Sequence, residues 1–389
     1  MINKIKIISN KNIVQKKTYL YSAGFNTDKK LNGKERIHEE LGDLKMLVKK
    51  KVKIILISHQ GSYIMKNTVH FDFLKRYLQK KLRTKIIYIR NKKINFSKDL
   101  SKKIKYGEIL LLPNVRFYKN EEKNSLKLGK KFSDLADYII IGGFSKAHRL
   151  NASNNSLLNF KPAYLANGIF KEIKKIKPWL NPKKNSICIL GGEKKEKITL
   201  GLKNFCKIYS YIIPSGVVLN SILKSLKINI GKSKYHGIKE IRIISSIYKK
   251  YKKKILLPKF VFVSKGTNFK EIKKIAINNL NNQDNIVGFF LSNNMKEKLK
   301  ICVKNKSHIL LAGTPSLMKN NIKYPTIEII RYLEKNKKRS LLLGGDTVSD
   351  LNFQGNKSSG GGSALYYLSN KSLPLIDTMY KNQKEFNVI

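Results

Sequence analysis

Short runs of β-branched and aliphatic residues alternate along the chain with longer, lysine-rich segments whose apolar residues recur at helical spacing. In the first half the apolar runs lie at 53–59, 85–90, 108–117 and 138–144. A strand followed by a helix, repeated several times, is typical of βαβ units, which build a parallel sheet covered by helices. The first half of the chain therefore predicts an α/β lobe.

The same alternation restarts after the segment 171–185, "KEIKKIKPWLNPKKN". The later apolar runs lie at 186–192, 208–216, 254–264, 307–314 and 340–346. A chain of 389 residues is also too long for one ordinary hydrophobic core. We expect two Rossmann-like lobes with parallel sheets flanked by helices. Their bounds are 1–165 and 186–370, and 166–185 forms the joining helix or linker.

The net charge of +55 arises from 80 Lys+Arg against 25 Asp+Glu. Such a charge raises nucleic acid or an acidic membrane as partners. The lysines, however, are spread over the whole length together with asparagine and isoleucine, without a basic tail or a repeated arginine–aromatic motif. We therefore expect only non-specific affinity for polyanions at low salt, and no specific nucleic-acid partner.

Neither a membrane anchor nor a disulfide framework is indicated. No apolar run reaches the roughly 18 residues that a membrane helix needs, and the N-terminus lacks the apolar core of a signal peptide. The three cysteines, Cys188, Cys206 and Cys302, include no CxxC pair, which argues against disulfides and a zinc site. The expected location is the cytoplasm, with no membrane partner.

Arginine is rare in this lysine-rich chain, and several arginines follow predicted strands. A planar guanidinium binds carboxylate or phosphate through paired hydrogen bonds, which an ammonium cannot do. In open parallel sheets, ligands bind at the carboxyl ends of strands. The candidate donors to an anionic ligand are Arg36, His59, Arg116, His148 and Arg149. Taken singly, Arg36 also fits a solvated helix start and His59 a turn.

Glycine clusters mark the second half: "LGGEKKEKI" (190–198), "LLGGDTVSD" (342–350) and "SSGGGSAL" (358–365). Glycines between a strand and a helix let backbone N–H groups approach phosphate. No cluster matches GxxxxGK[ST] or GxGxxG, so the P-loop and dinucleotide-binding motifs are not supported. Asp346 follows a glycine pair, where one carboxylate suits Mg²⁺ on a nucleotide; alternatively Asp346 or Thr347 caps a helix.

Several motifs, in order, are similar to the phosphoglycerate kinase family over nearly the whole chain. They are "SAGFN" (22–26), "GEILLLPNVRFYKNEEKN" (107–124), "AHR" (147–149), "ILGGEKKEKI" (189–198), "GGDT" (344–347), "SSGGGSAL" (358–365) and "SLPLIDTM" (372–379). The resemblance implies a divergent member of this family with two lobes that face a cleft and close about a hinge. It also implies a monomer whose segment 371–389 packs back on the first lobe.

The resemblance further implies a glycolytic phosphotransferase that moves a phosphoryl group between ATP and the carboxylate of 3-phosphoglycerate, with Mg²⁺ as cofactor. The implied acceptor-binding residues are Asn26, Arg36, His59, Arg116, His148 and Arg149. The implied nucleotide-binding residues are Gly191, Gly192, Lys194, Lys197, Gly216, Gly313, Gly344, Gly345, Asp346 and Thr347, with Asp346 on the metal. Arg36, Lys194, Gly361 and Gly362 would act on the phosphoryl group in flight, and Gly360 precedes them at the helix start. No general base is required, because the attacking carboxylate is already ionised.

Departures from the family pattern leave three readings open. Ser22 stands in place of an arginine and Gly24 in place of an aspartate that touches the substrate hydroxyl. Ser62 replaces an arginine for the substrate phosphate, Pro214 and Ser215 interrupt a glycine triplet, and Lys319 replaces a glutamate at the ribose. The chain is then a phosphoglycerate kinase, a paralogue that phosphorylates another carboxylate, or a non-catalytic descendant with a binding role.

Overall fold

The computed structural model describes residues 2–265, 269, 271–320 and 322–389, with the side chain of Lys319 outside the description. The chain divides into two compact units. The N-terminal unit comprises Met1–Lys174 and Ser372–Ile389, and the C-terminal unit comprises Lys175–Lys371. Both are built on a parallel sheet with helices, so the predicted α/β class with two parallel sheets is confirmed.

The N-terminal unit contains a six-stranded sheet of order β3-β4-β2-β1-β5-β6 in which every pairing is parallel. Its strands are β1 Thr18–Ser22, β2 Lys53–Ile57, β3 Ile86–Tyr88, β4 Ile109–Leu111, β5 Tyr138–Ile141 and β6 Ala163–Leu165. Its helices are α1 Glu35–Lys49, α2 Asp72–Leu82, α3 Leu126–Ser133, the adjoining α4 Asn167–Ile176, and α12 Pro374–Glu385 near the end of the chain. All five residues of β1 and all three of β4 are buried, as expected of a sheet covered on both faces.

The last helix contacts the edge strand of this sheet through two buried amides. Gln383 Nε2 donates to the carbonyl oxygens of Lys6 (2.9 Å) and Ala163 (2.8 Å). Asn382 Oδ1 accepts from the Ala163 N–H at 3.0 Å, and its Nδ2 donates to Lys161 O at 2.8 Å. Because buried amides cost free energy unless they are paired, these bonds fix the C-terminal segment to this unit.

The C-terminal unit contains a five-stranded parallel sheet of order β14-β13-β12-β7-β8 and a three-stranded antiparallel sheet of order β10-β9-β11. The strands are β7 Ile187–Leu190, β8 Tyr211–Pro214, β9 Phe260–Lys265, β10 Ile272–Ala276, β11 Asp284–Phe289, β12 Ile309–Ala312, β13 Ser340–Leu343 and β14 Asn356–Ser358. The helices are α5 Lys203–Ile208, α6 Gly216–Ser225, α7 Ile238–Tyr251, α8 Asn293–Lys304, α9 Thr326–Lys335, α10 Gly345–Asp350 and α11 Gly361–Asn370.

The apolar run 254–264 does not form the parallel strand that its composition predicts. Only Ile255 bridges to Ile212 in parallel, and the strand proper, β9, begins at Phe260 in the antiparallel sheet. Pro258 separates the two parts, because proline has no N–H to donate to a sheet ladder. In the part of the chain that the structure describes, no helix combines the length and the hydropathy that a bilayer crossing requires.

Candidate functional site

The predicted acceptor residues of the N-terminal unit lie at one edge of its sheet. His59 follows β2, Arg116 follows β4, and His148 and Arg149 follow β5 after a short 3₁₀ turn. Asn26 follows β1, and its N–H donates to His59 O at 3.1 Å. These four strands are adjacent and parallel, so their carboxyl ends place the predicted residues along the same edge.

His59 lies buried among positive charges. Burial lowers the pKa of its imidazole well below the usual value, and the charges of Arg116, Lys146, Arg149 and Arg36 lower this pKa further. The ring is therefore neutral at physiological pH, and four basic side chains lie near enough to affect its titration. Like charges held together repel one another, and an anion bound beside His59 would relieve that repulsion. The site is suited to a phosphate or carboxylate.

Arg116 is the most firmly held of these cations. Its side chain is 1% exposed, and Nη1 forms an ion pair with Glu122. In the amide orientation of Asn151 that lets its nitrogen donate to Leu150 O, its Oδ1 accepts a hydrogen bond from Arg116 Nη2 at 2.9 Å. The backbone N–H of Arg116 donates to Asn114 Oδ1 at 3.0 Å. The Nε atom is buried without a hydrogen-bond partner among the described residues.

Arg36 occupies the first turn of α1 and is half-buried. Its Nη1 donates to Asn26 O at 2.9 Å, which ties the helix start to the segment after β1. His148 is half-buried and Arg149 is exposed, so their side chains reach the surface at this edge. Arg36 thus lies at a helix start, but it is half-buried and hydrogen-bonded rather than fully solvated, and its charge lowers the pKa of His59.

The structure shows the contacts at Ser62 and Gly24, two positions that depart from the family pattern. Ser62 Oγ donates to Glu122 Oε2 at 3.1 Å, and the Tyr63 N–H donates to the same oxygen at 3.1 Å. Glu122 therefore bonds to both the Ser62 loop and Arg116. A Cβ added to Gly24 would collide with the Cα of Gly143, so this close backbone approach leaves no room for an aspartate at position 24.

In the C-terminal unit, glycines follow all five strands of the parallel sheet at their carboxyl ends. Five of them have a positive φ: Gly192 (100°), Gly216 (48°), Gly313 (109°), Gly344 (120°) and Gly361 (25°). A side chain would strain such backbone. The five loops thus present main chain to this edge, which is the surface that phosphate groups need.

Lys197 is the buried cation of this edge. It begins a π-helical turn, Lys197–Leu202, that continues into α5, and its Nζ donates to Ala312 O at 3.0 Å. Burial lowers the pKa of Lys197 to about 8; the neighbouring Cys188 raises it slightly and Lys194 lowers it. Lys194 is exposed on the loop after β7. The structure therefore brings one fixed and one exposed ammonium to the glycine loops.

Asp346 lies exposed in the first turn of α10. Gly344 is the N-cap of that helix, so the alternative in which Asp346 or Thr347 caps it is wrong. Gly345 is the first residue of α10, and Thr347 is buried. As the sequence predicts, Gly361 and Gly362 begin α11, with Gly360 as its N-cap.

The donor set at this edge fits a magnesium nucleotide. Among the described residues, no group of three or more His, Cys, Asp or Glu side chains could hold a metal by itself. Mg²⁺ usually takes one or two carboxylates and completes its coordination with phosphate oxygens and water, so Asp346 alone suffices. Ser215 Oγ is buried beside Gly191 without a hydrogen-bond partner in the described part, which leaves one polar group available.

Comparison with known proteins finds the same family throughout. The family model described as phosphoglycerate kinase matches residues 11–371. The phosphoglycerate kinase of Finegoldia magna is 29% identical, with 94% of this chain and 96% of the relative covered. That of Buchnera aphidicola subsp. Schizaphis graminum is 31% identical, with 89% and 90% covered.

Two solved structures share the fold. The phosphoglycerate kinase of Coxiella burnetii superposes with a TM-score of 0.76 at 22% identity, covering 96% of this chain and 99% of its own. That of Pyrococcus horikoshii gives 0.79 at 20% identity, covering 96% and 98%.

Sequence reasoning missed three charged side chains beside the predicted anion site. Glu122 pairs with the predicted Arg116, while Lys146 contacts Ser22 and Glu40 contacts Gly24, and the sequence patterns point to none of the three. Lys146 gave no signal because lysine is abundant everywhere in this chain. Acidic residues are scarce, so a glutamate at helical spacing among the apolar residues of 37–47 was the signal available for Glu40.

Proposed function

The chain belongs to the phosphoglycerate kinase family, and we propose that it catalyses reversible phosphoryl transfer between ATP and the carboxylate of 3-phosphoglycerate, giving ADP and 1,3-bisphosphoglycerate. The observation that carries the proposal is the group of four cations around the buried, neutral His59. Glu122 balances part of this charge through its ion pair with Arg116, and the group as a whole fits an acceptor that bears both a phosphate and a carboxylate.

On the acceptor side, we assign the phosphate of 3-phosphoglycerate to His59, Arg116 and Arg149, with His148 and Asn26 beside them. Arg36 would hold the carboxylate and the phosphoryl group during transfer. Phosphoryl transfer depends on in-line positioning and on neutralising charge rather than on covalent chemistry. A guanidinium anchored to Asn26 O at 2.9 Å has the fixed geometry that this role requires.

On the nucleotide side, Lys197 and the main chain of Gly191, Gly192, Gly216, Gly313, Gly344 and Gly345 would hold the phosphates. Asp346 would hold Mg²⁺, which supplies neutralisation of the phosphate charge that develops in transfer. Lys194, exposed and able to move, would follow the transferring phosphoryl group. The N–H groups at Gly361 and Gly362 begin a ten-residue helix and favour negative charge there.

Binding of ADP is expected to take up protons above about pH 8. The buried Lys197 has a pKa of about 8 in the free protein, and phosphate charge beside it raises that pKa. At a pH between the pKa of Lys197 in the free protein and its pKa in the ADP complex, binding takes up a proton. Near pH 6 the lysine is protonated in both states, so binding takes up none there. Calorimetry in two buffers of different ionisation enthalpy measures the uptake. Lys197→Met should abolish it, and uptake that persists in this variant would contradict the assignment.

A second candidate function, phosphorylation of a different carboxylate, is favoured by the region around Gly24. No carboxylate stands at this position to recognise the substrate hydroxyl, and the approach of Gly143 excludes one. Ser62, bound to Glu122, offers no cation to the substrate phosphate. In this alternative the reaction is still phosphoryl transfer from ATP to a carboxylate, and the Mg-ATP site is the same. Only the acceptor differs.

A panel of acceptors separates the two candidates. We expect turnover on 3-phosphoglycerate, with kcat/KM for 3-phosphooxypropanoate, which lacks the 2-hydroxyl, within about tenfold of it. A site that hydrogen-bonds a hydroxyl rejects the analogue without it by roughly 10⁴-fold, and Gly24 removes that contact. Initial rates in a coupled ADP-release assay give both values. Turnover on an unrelated carboxylate but not on 3-phosphoglycerate would favour the second candidate.

We also propose that the protein works as a cytoplasmic monomer. All three cysteines are buried and free, which is compatible with a reducing compartment. Burial raises the pKa of each thiol, Cys206 and Cys302 to about 12, so they are not reactive thiolates at neutral pH.

A further inference from the structure

Lys146 is a buried lysine that contacts Ser22, the last residue of β1. Its side chain is 2% exposed, and its Nζ donates to Ser22 Oγ at 2.6 Å and to Ser22 O at 3.1 Å. A buried ammonium is costly unless it is hydrogen-bonded and near opposite charge. Its position beside residue 22 is therefore maintained by specific contacts.

Glu40 is a buried glutamate that contacts Gly24, two residues further along. It is 1% exposed, and its Oε1 accepts the Gly24 N–H at 2.9 Å. Its Oε2 is buried near Tyr21 and against Gly142, where any added Cβ would collide with it. The carboxyl group thus occupies the space beside Gly142 where a side chain would otherwise lie.

These two side chains attract each other electrostatically. Burial raises the pKa of Glu40, and the Lys146 charge opposes that rise. Burial lowers the pKa of Lys146, and Glu40 and then Glu121 oppose that fall. Each charge therefore makes the other less costly in the interior.

Hydrogen bonds connect Lys146 to the segments that carry the anion site. Ser22 Oγ donates to Ser153 O at 2.5 Å, and the Ser153 N–H donates to Glu121 Oε2 at 2.9 Å. Asn154 Nδ2 donates to the carbonyl oxygens of Lys146 (3.2 Å) and Arg149 (3.0 Å). The end of β1, the turn that carries Arg149 and the segment after Arg116 therefore meet at this lysine.

We propose that Lys146 and Glu40 are positioning residues of the acceptor site. Lys146, from the turn after β5, places a positive charge beside Ser22, where the family has an arginine. Glu40, from α1, places a carboxyl group beside Gly24, where the family has an aspartate. This inference rests on the proposed function, because the site that it supports is the one assigned to the acceptor. The polar atoms of these two side chains bond to Ser22 and to the Gly24 N–H, so we assign them no contact with the ligand. They act by fixing the backbone after β1 and β5 and by adding a positive charge near His59.

The first test is a charge relocation. Lys146→Met should weaken binding of 3-phosphoglycerate by about tenfold, because the backbone after β1 loses its anchor and the site loses one nearby positive charge, and it should change ADP binding less than twofold. Ser22→Arg in the Lys146→Met background should restore most of the 3-phosphoglycerate affinity by returning a cation to residue 22. Lys131→Met, an exposed lysine on α3, is the control for net charge. Calorimetric dissociation constants give all values without requiring turnover.

The second test reports on the coupling and does not depend on the substrate. Lys146→Met and Glu40→Gln should each lower the urea midpoint, and the double variant should lower it by less than their sum, because it leaves neither charge alone. Additive effects, or a folded Lys146→Met protein with unchanged affinity for both 3-phosphoglycerate and inorganic phosphate, would overturn the inference. A wild-type protein that binds inorganic phosphate in a Lys146-dependent way but does not turn over 3-phosphoglycerate would instead count against the proposed function.

Discussion

Replacing Arg36 with methionine is expected to lower kcat for phosphoryl transfer by about 10²–10³-fold, the usual effect of removing one preorganised charge-stabilising donor. The reason lies in its contacts. Nη1 is fixed by Asn26 O at 2.9 Å, and the guanidinium is otherwise half-buried at the edge where the acceptor would bind. Its loss leaves the other cations around His59 in place, so the KM for the acceptor should rise less than kcat falls.

Arg76→Met is the matched control, because Arg76 lies exposed on α2 and its loss changes the net charge equally. This control should retain activity within about twofold, since isolated surface charges contribute little. Steady-state kinetics together with a thermal unfolding curve separate an effect on transfer from an effect on folding. An Arg36→Met protein that is folded and retains wild-type kcat would refute the assigned role.

Replacing Lys197 with methionine is expected to lower kcat/KM for Mg-ATP by about 10²-fold without lowering stability. The buried ammonium would bind phosphate through desolvated, charge-assisted hydrogen bonds, which are the strong ones. Its removal leaves no orphaned carbonyl, because Ala312 O also accepts the Gly191 N–H at 2.9 Å. Removal also takes a charge out of an interior position where its pKa is lowered to about 8.

Lys203→Met, exposed at the start of α5, is the control for this change. Kinetics with Mg-ATP varied at fixed acceptor, and urea unfolding of the three proteins, measure both effects. The loss of kcat/KM, converted to a free energy, is compared with the loss in the free energy of unfolding. If Lys197→Met lowers both by the same amount, Lys197 has a structural role and the assignment to nucleotide phosphates is contradicted.

The strands could be predicted where their residues form continuous aliphatic runs. The run at 53–59 contains β2, and 307–314 contains β12, because buried parallel strands require such runs. β1 was not predicted from pattern, because "TYLYS" mixes hydroxyl groups with apolar residues although all five are buried. The antiparallel sheet was missed because the effect of Pro258 on register depends on partners far along the chain.

The candidate site could be predicted in its location but not in its contacts. Placing His59 and Arg116 after strands follows from the alternation of elements, and the sheet order then brings them to one edge. The link from Ser62 through Glu122 to Arg116 spans about 60 residues of sequence and depends on tertiary packing. The same holds for Lys146, which lies 124 residues from Ser22. No local pattern encodes such pairs.

The most direct test of the central claim is the transfer itself. Purified protein, Mg-ATP and 3-phosphoglycerate are combined, and formation of the acyl phosphate is followed by coupled reduction, with Asp346→Ala as the paired sample. Formation of 1,3-bisphosphoglycerate by the wild-type protein that requires Mg²⁺ and is lost in Asp346→Ala is the predicted result. ADP and 3-phosphoglycerate that bind without any transfer to a carboxylate would contradict it.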